Sequence, residues 1–306
     1  MRRILVPLDG TQLAESILSD ARRLAGPDGV LILIEVAQGR KYDPETRTRS
    51  EWYALQSARD YLAEQAASLR AEGVNVEAHG LYMGPAPVSI DDAVGMYRAD
   101  MIACATHGRS PLGRLCRGGV AWRALAHSSV PVLLRHAEDH PAEAVRAIPR
   151  HIMVPLDGSA YAEKALPLAQ QLAREWKAKL SLVQVVPDTA VVFAPEVTVT
   201  PDDIQLQNQE AHRYLDRMAS ELGGEVQMSV LIGPVSTTLT EAAVHWSVSD
   251  IVMASHGRTG LSRVILGSVA DTLVHRLHCP IIVIPAMVAE TPKHAEERRE
   301  TLAGVK

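Results

Sequence analysis

The residues best suited to chemistry lie in two short runs, and each run occurs twice. In ASHGRTGLSRVILGS, Ala254–Ser268, Gly257 is followed after nine residues by Gly267 and Ser268. Glycine lets the backbone approach a phosphate closely. A Gly-Ser pair opening a helix adds a hydroxyl beside amides that lack intrahelical partners and face outward at the positive end of the helix dipole. The spacing suits a phosphate, although neither a Walker lysine nor a GxGxxG run is present. The same glycines also serve as a helix cap and a close-packing site. The other run is VPLDGS, Val154–Ser159, where Asp157 follows an apolar strand. A carboxylate there accepts from ribose hydroxyls or holds a metal against phosphates, and Asp is also a favoured helix N-cap. Arg258 and Arg263, with Arg109 and Arg114, either balance phosphate charge or belong to a solvated surface.

No catalytic set accompanies these residues. His107 and His256 sit beside glycines with no second ligand at zinc spacing, which favours a packing or backbone-bonding role. There is no nucleophile elbow, Cys-His pattern or metalloprotease helix. Cys104, Cys116 and Cys279 are odd in number and lack metal spacing, which suits a reducing cytoplasm and a packing role.

The runs are parts of a larger repeat. ILVPLDG at Ile4–Gly10 returns as IMVPLDG at Ile152–Gly158, offset by 148 residues, and ATHGRSPLGRLCRGG at Ala105–Gly119 returns at Ala254 with an offset of 149. Gly84-Pro85 matches Gly233-Pro234, and Val130–Val132 matches Cys279–Ile281, both at 149. A period this long means tandem domains, and 306 residues suffice for two cores. The division expected is 1–137 and 148–287, joined by a polar linker, with a frayed or loosely docked tail over 288–306. A single Phe leaves Val, Ile, Leu, Ala and Met to build those cores. The net charge of −5 argues against nucleic acid as a bulk electrostatic partner. The first apolar run, stopped by Pro7 and Asp9, reads as a strand and not a signal peptide, and no stretch approaches a membrane span.

Each unit alternates strand and helix, the pattern of a parallel α/β sheet buried on both faces. In the second unit the pattern predicts strands at His151–Pro155, Leu180–Val186, Glu225–Ile232, Ile251–Ala254 and Pro280–Pro285. Helices are predicted over Ala160–Lys177, from Thr200-Pro201-Asp202-Asp203 onward, over Val235–Val248 and over Ser268–Leu277. The first unit predicts strands at Ile4–Pro7, Val30–Val36, Asn75–Leu81, Met101–Ala105 and Pro131–Leu134, and a helix over Ser50–Glu72. Ligands in such sheets gather at the carboxyl ends of strands where strand order reverses, which is where both runs fall.

With these residues in place, the chain resembles the universal stress protein family in its tandem two-domain form. The family's pattern is Gly, two residues, Gly, nine residues, Gly, then Ser or Thr. The second unit carries Gly257, Gly267 and Ser268, with Ala254 at the first position. The resemblance implies two tandem five-stranded parallel open-sheet domains, Rossmann-like and adenine nucleotide alpha hydrolase-like, packed as an intramolecular pseudo-dimer through Val132–Leu134 and Ile281–Val283. It further implies ATP, often with Mg or Mn bridged by its phosphates. Adenine would lie near Val185 and Val186, ribose near Pro155, Asp157, Gly158 and Ser159, and phosphates near His256, Gly257, Arg258, Gly267, Ser268 and Val269, with Gly233 at the border.

The first unit departs further. Ala105 stands at the first glycine and Gly119 replaces the Ser or Thr, so a site built on Asp9, Val36, Gly108, Gly118 and Gly119 is expected to bind more weakly. The functional expectation is an ATP-binding stress regulator in the cytoplasm, acting through nucleotide-dependent shape or an unidentified protein partner, with a homodimer allowed. The alternatives are a nucleotide-independent interaction protein and a slow ATPase.

Overall fold

The computed structural model describes residues 2–38, 49–83, 90–107, 128–137, 150–188, 200–255 and 266–285. The linker and tail expectations lie outside them. The first half contributes β1 (Arg3–Leu8), α1 (Gln12–Glu15), α2 (Leu18–Ala25), β2 (Val30–Gln38) and α3 (Arg49–Ala71). It continues with β3 (Asn75–Met83), α4 (Ile90–Tyr97), β4 (Met101–His107) and β5 (Val132–Ala137). The second half contributes β6 (His151–Leu156), α5 (Ala160–Glu163), α6 (Leu166–Trp176), β7 (Lys179–Val186) and α7 (Pro201–Leu222). After these come β8 (Val226–Ile232), α8 (Val235–His245), β9 (Asp250–Ala254), α9 (Ser268–Arg276) and β10 (Ile281–Ile284).

The ten strands among the described residues join one sheet in the order β3-β2-β1-β4-β5-β10-β9-β6-β7-β8. Among the described residues every strand pairing is parallel except β5 with β10, where the halves meet antiparallel. The register there is Ile281 on Leu134, Ile282 on Leu133 and Val283 on Val132. At an offset of 149, Leu133 and Ile282 are each other's counterparts, so a local two-fold axis passes between them. The expected pairing of the last strands is the one observed.

Strand alternation sends apolar side chains to both faces, and two helical layers cover them. One layer packs Ile17 and Leu24, Leu62 and Ala66, Leu172, and Leu215 against Ile4, Val6, Val154 and Leu182. The other packs Val94, Leu239, Ala243, Leu273 and Val274 against Leu5, Ile32, Met153 and Val183. Both layers run across the seam, since Leu133 and Ile282 share the first while Val132, Leu134, Ile281 and Val283 share the second. Each fully buried Leu or Ile contributes about 2 kcal/mol relative to an exposed one. β8 is a sheet edge and is not buried on both faces as the pattern suggested: Met228 and Ile232 are 41% and 51% exposed.

The helix expected without interruption over Ala160–Lys177 is two helices. Pro167 has no N–H, so it cannot bond to the Glu163 carbonyl, and α5 ends there. The first half breaks between α1 and α2 without a proline, so the bend belongs to the turn itself; Ser16 Oγ bonds the Leu13 carbonyl there. The expected start of α7 is present as a capping box. Thr200 Oγ1 accepts from the Asp203 amide, and Asp203 Oδ2 accepts from the Thr200 amide at 2.9 Å.

A buried ionic network crosses the seam. Asp20 bonds Arg23 at 3.0 Å and also Arg135, while Arg23 reaches across to Asp250 at 2.7 Å. Asp20 and Asp250 are almost wholly inaccessible. Arg23 and Arg150 each lie 4.9 Å from the Trp176 ring centroid, and Arg2 pairs with Glu175. Burial opposes the charge of Arg23, yet Asp250 and Asp20 hold its pKa above the ordinary value. Arg2 and Arg150 are counterparts at an offset of 148, but the core of the network does not repeat: the counterparts of Asp20, Arg23, Arg135 and Asp250 are Leu168, Gln171, Ile284 and Met101.

His151, buried at the start of β6, supplies a pH dependence. Its Nδ1 lies 3.3 Å from the Trp246 carbonyl, which only accepts, so Nδ1 donates and Nε2 accepts from Ser181 Oγ at 2.7 Å. Burial pushes the imidazole below its ordinary pKa, with the Trp246 carbonyl opposing. The unfolded chain therefore takes up a proton that the folded chain refuses. The stability contribution is complete above about pH 6.5 and is lost as pH falls below it. The melting temperature is expected to fall more steeply from about pH 7 to about pH 5 than in His151→Gln. Parallel melting curves for the two proteins over that range would remove His151 as the cause.

Candidate functional site

Strand order reverses between β1 and β4 and again between β6 and β9, so each half has one crevice at its switch point. In the second half, β6 delivers Pro155, half-buried and paired with Val183, and then Leu156 and Asp157. Gly158 turns the chain at φ 83°, a conformation that suits glycine. Asp157 Oδ1 accepts from the Ser159 amide at 3.0 Å and its hydroxyl at 2.6 Å, and Ser159 Oγ accepts from the Ala162 amide at 3.2 Å. The N-cap of α5 is therefore Ser159, and Asp157 orients it. The expectation of Asp157 itself as N-cap is corrected in that respect. The first half repeats the motif: Asp9 Oδ1 accepts from both the amide and the hydroxyl of Thr11, Thr11 caps α1, and Gly10 turns at φ 77°.

The opposite wall comes from β9 and α9. Ala254 ends β9, and Ser255, 3% exposed, is pinned by its amide to the Ile284 carbonyl at 2.9 Å. Gly267 is the N-cap of α9 and donates its amide to the Ser255 carbonyl at 2.8 Å. The cradle therefore differs from the one expected, because the Gly267 amide is already engaged. The first amides of α9 are those of Ser268, Val269 and Ala270, and none has a hydrogen-bond partner among the described residues. Leu266 and Ala270, both buried, anchor this end against the core. Three amides and the Ser268 hydroxyl at a positive helix end form an arrangement that stabilises an anion.

At the neighbouring strand ends, Val185 is half-buried and Val186 is 3% exposed, with the Val186 carbonyl accepting from Gly233 at 3.0 Å. Gly233 has φ 145°, and a Cβ there would stand 2.6 Å from Thr238 Oγ1, so glycine is required for the turn into α8. His256, Gly257, Arg258 and Arg263 lie outside the described residues. So do Gly108, Gly118, Gly119, Arg109 and Arg114, and the side chains of His107 and Val36; the Val36 backbone pairs with Leu81 in β3.

Sequence reading placed Ser255 among the strand-end residues to inspect but did not single out Ala270, Gln184 or Tyr214. Gln184 interrupts the apolar face of β7 in register with Leu156, is 7% exposed, and its Oε1 has no hydrogen-bond partner among the described residues. The phenol of Tyr214 is pushed up first by burial, then by the carboxylates of Glu163 and Asp157. A polar residue flanked by valines in KLSLVQVV was the available signal for Gln184. Cys104 and Cys279 are both raised to about 12 by burial, which suppresses thiolate chemistry and agrees with packing roles. No group of three or more metal-ligating side chains stands together among the described residues. No described helix is long and apolar enough to cross a membrane.

A doubled α/β protein with a ligand-type crevice at each switch point is the class that fold and site define. The chain belongs to the universal stress protein family, whose sequence model matches residues 1–136 and again 149–285. It is 30% identical over 138 residues to a universal stress protein of Methanocaldococcus jannaschii, covering 44% of this chain and 81% of that protein. It is 28% identical over 218 residues to one of Mycobacterium tuberculosis, covering 69% of each. In structure it is similar to a universal stress protein from Archaeoglobus fulgidus, with a TM-score of 0.64, 20% identity, and coverage of 92% of this chain and 96% of that one.

Proposed function

We propose that this universal stress protein binds ATP in its second half and acts as a stress-response regulator through nucleotide-dependent shape or partner binding. The observation that carries this reading is the placement of the Ser268, Val269 and Ala270 amides across a switch-point crevice from Asp157. In the proposed complex the α9 amides and the Ser268 hydroxyl hold phosphate oxygens, while Asp157, already fixed by Ser159, accepts from the ribose. Val185 offers the half-buried apolar surface for the base. A magnesium or manganese ion would travel with the phosphates and supply charge neutralisation there, with Asp157 as the carboxylate in reach. The domain division at 1–137 and 148–287, and a location in the cytoplasm, belong to the same proposal.

Two measurements test it. The purified chain is expected to retain about one nucleotide, and saturating ATP at ~100 times its dissociation constant is expected to stabilise it by about 2.7 kcal/mol. Absence of both a retained nucleotide and an ATP-dependent thermal shift would remove the reading. The second reading, a nucleotide-independent interaction protein, draws on Gly118-Gly119 in the first half and on the exposed β8 edge with Met228 and Ile232.

A further inference from the structure

The two edges of the sheet are guarded differently. β3 and β8 are its outermost strands, and among the described residues no strand pairs with the outer side of either. A bare strand edge is a template for another strand, and proteins blunt it with charge. β3 is blunted in that way: Glu77 accepts from Arg3 Nη1 at 2.9 Å and from Nη2 at 2.8 Å, and His79 Nε2 lies 3.6 Å from the same carboxylate. The hydrogen bonds from Arg3 hold the Glu77 carboxyl below its ordinary pKa, so the charge persists at neutral pH. At the counterpart positions, 149 residues on, β8 has Val226 and Met228, and its sequence VQMSVLI carries no charge at all.

The backbone of β8 shows which groups are on offer. The Gly233 amide points inward, donating to the Val186 carbonyl at 3.0 Å in the parallel ladder with β7. By the two-residue period, the amides and carbonyls of Gln227, Ser229 and Leu231 also face β7, and those of Val226, Met228, Val230 and Ile232 face outward. No residue of the strand is buried, and Met228 and Ile232 are exposed.

We propose that β8 pairs antiparallel with β8 of a second copy about a two-fold axis through Ser229, joining two ten-stranded sheets into one. Centred there, the strand overlaps itself over its full length: Val226 meets Ile232, Gln227 meets Leu231, Met228 meets Val230 and Ser229 meets Ser229. Every outward residue then falls in a hydrogen-bonded pair, with apolar side chains opposite one another and no like charges facing. Just beyond the strand, Glu225 falls opposite Gly233 and not opposite its own copy. The occupant is a second copy because the strand is complementary to itself in both charge and backbone pattern. The contact is isologous and closes on itself, and Arg3, Glu77 and His79 keep the β3 edge from extending the assembly further. Inside the chain, β5 and β10 already make an antiparallel contact of this kind. The proposal is independent of the nucleotide reading.

The test is sedimentation velocity of the full chain without nucleotide. A strand pair of this length buries less than a standard interface of about 1,600 Å², so a reversible dimer with a dissociation constant on the order of 10 μM is expected. Met228→Pro removes an outward amide without touching the β7 ladder, and is expected to weaken the dimer by about tenfold or more at an unchanged melting temperature. Where that variant melts early, Met228→Lys supplies the missing charge instead and is expected to weaken the dimer equally. Ser229→Cys is expected to give an intermolecular disulfide that the parent chain lacks, because facing residues of a non-hydrogen-bonded pair have Cα atoms about 4.5 Å apart. Gln227→Cys, opposite Leu231 in this register, is expected to give none. A chain that stays monomeric up to about 200 μM overturns the proposal. So does a dimer that both Met228 variants leave intact, an assembly larger than a dimer, or a cross-link formed equally by the two cysteine variants.

Discussion

Gly267→Asp is expected to abolish the ATP-induced thermal shift while leaving the apo protein at least as stable as the parent. Gly267 has φ −65° and ψ 155°, an extended conformation that any residue adopts, and it occupies the N-cap of α9 without a side-chain cap. Aspartate is among the best N-cap residues, worth a few tenths of a kcal/mol over glycine, because its carboxylate accepts from the first-turn amides. Those are the amides of Ser268, Val269 and Ala270 that the nucleotide phosphates would use. One substitution thus supplies an internal anion where an external one binds, and the ~2.7 kcal/mol of ligand stabilisation should vanish without a fold penalty. Ser268→Asp places the same charge one residue on and should act in the same direction. Melting curves with and without ATP check both, and a Gly267→Asp protein that keeps the full shift would move the phosphate site elsewhere.

Asp250→Ala is expected to cost about 3–5 kcal/mol, the largest effect on stability of any single change considered for this chain. Burial pushes the Asp250 carboxyl up in pKa, against the pull of Arg23 and the hydroxyl of Ser249, which donates to Oδ2 at 2.8 Å. Removing the carboxylate leaves Arg23 buried beside Arg150, whose own pKa burial and Arg23 already lower. Arg23 then keeps only Asp20, which Arg135 shares, so the cost comes from a buried excess of positive charge and should shrink when Arg23 goes too. Arg23→Leu combined with Asp250→Leu is expected to lie closer to wild type than Asp250→Ala alone, since apolar replacement of a buried pair is often neutral. Urea unfolding of the three proteins decides the matter. A loss below about 1 kcal/mol for Asp250→Ala would mean that the network contributes little to the seam.

What could be read from the residues was local or periodic. The Thr200–Asp203 capping box, the strand runs and the 149-residue offset depend on neighbours in sequence or on an exact repeat, whereas the pairing of Val132–Leu134 with Ile281–Val283 was implied by the family resemblance. The break at Pro167 was equally local but was outweighed by the apolar period of Ala165, Leu168, Ala169 and Leu172, which runs through it. The engaged Gly267 amide could not be seen, because its acceptor, the Ser255 carbonyl, is set in place by the pinning of Ser255 to Ile284 beside β10. The seam network was invisible for a similar reason: Asp20 reads as a helix-surface acid and Asp250 as a strand-start acid until the sheet brings Arg23 between them. Glu35 and Gln184 looked like interruptions of apolar strands, and only the register with Leu8 and Leu156 gives them a place beside the crevices.

The axis between Leu133 and Ile282 also explains how the halves could become so unequal. When two identical chains pair about an axis, every substitution arrives twice, and a new buried acid must find two partners at once. Joined in one polypeptide, each side changes singly. A lone acid at 250 needs only the one arginine opposite it, and a glutamate at 35 need not be matched by one at 184. Covalent linkage thus releases the pair from mirrored change, and a division of labour between two otherwise matching halves becomes reachable by single steps.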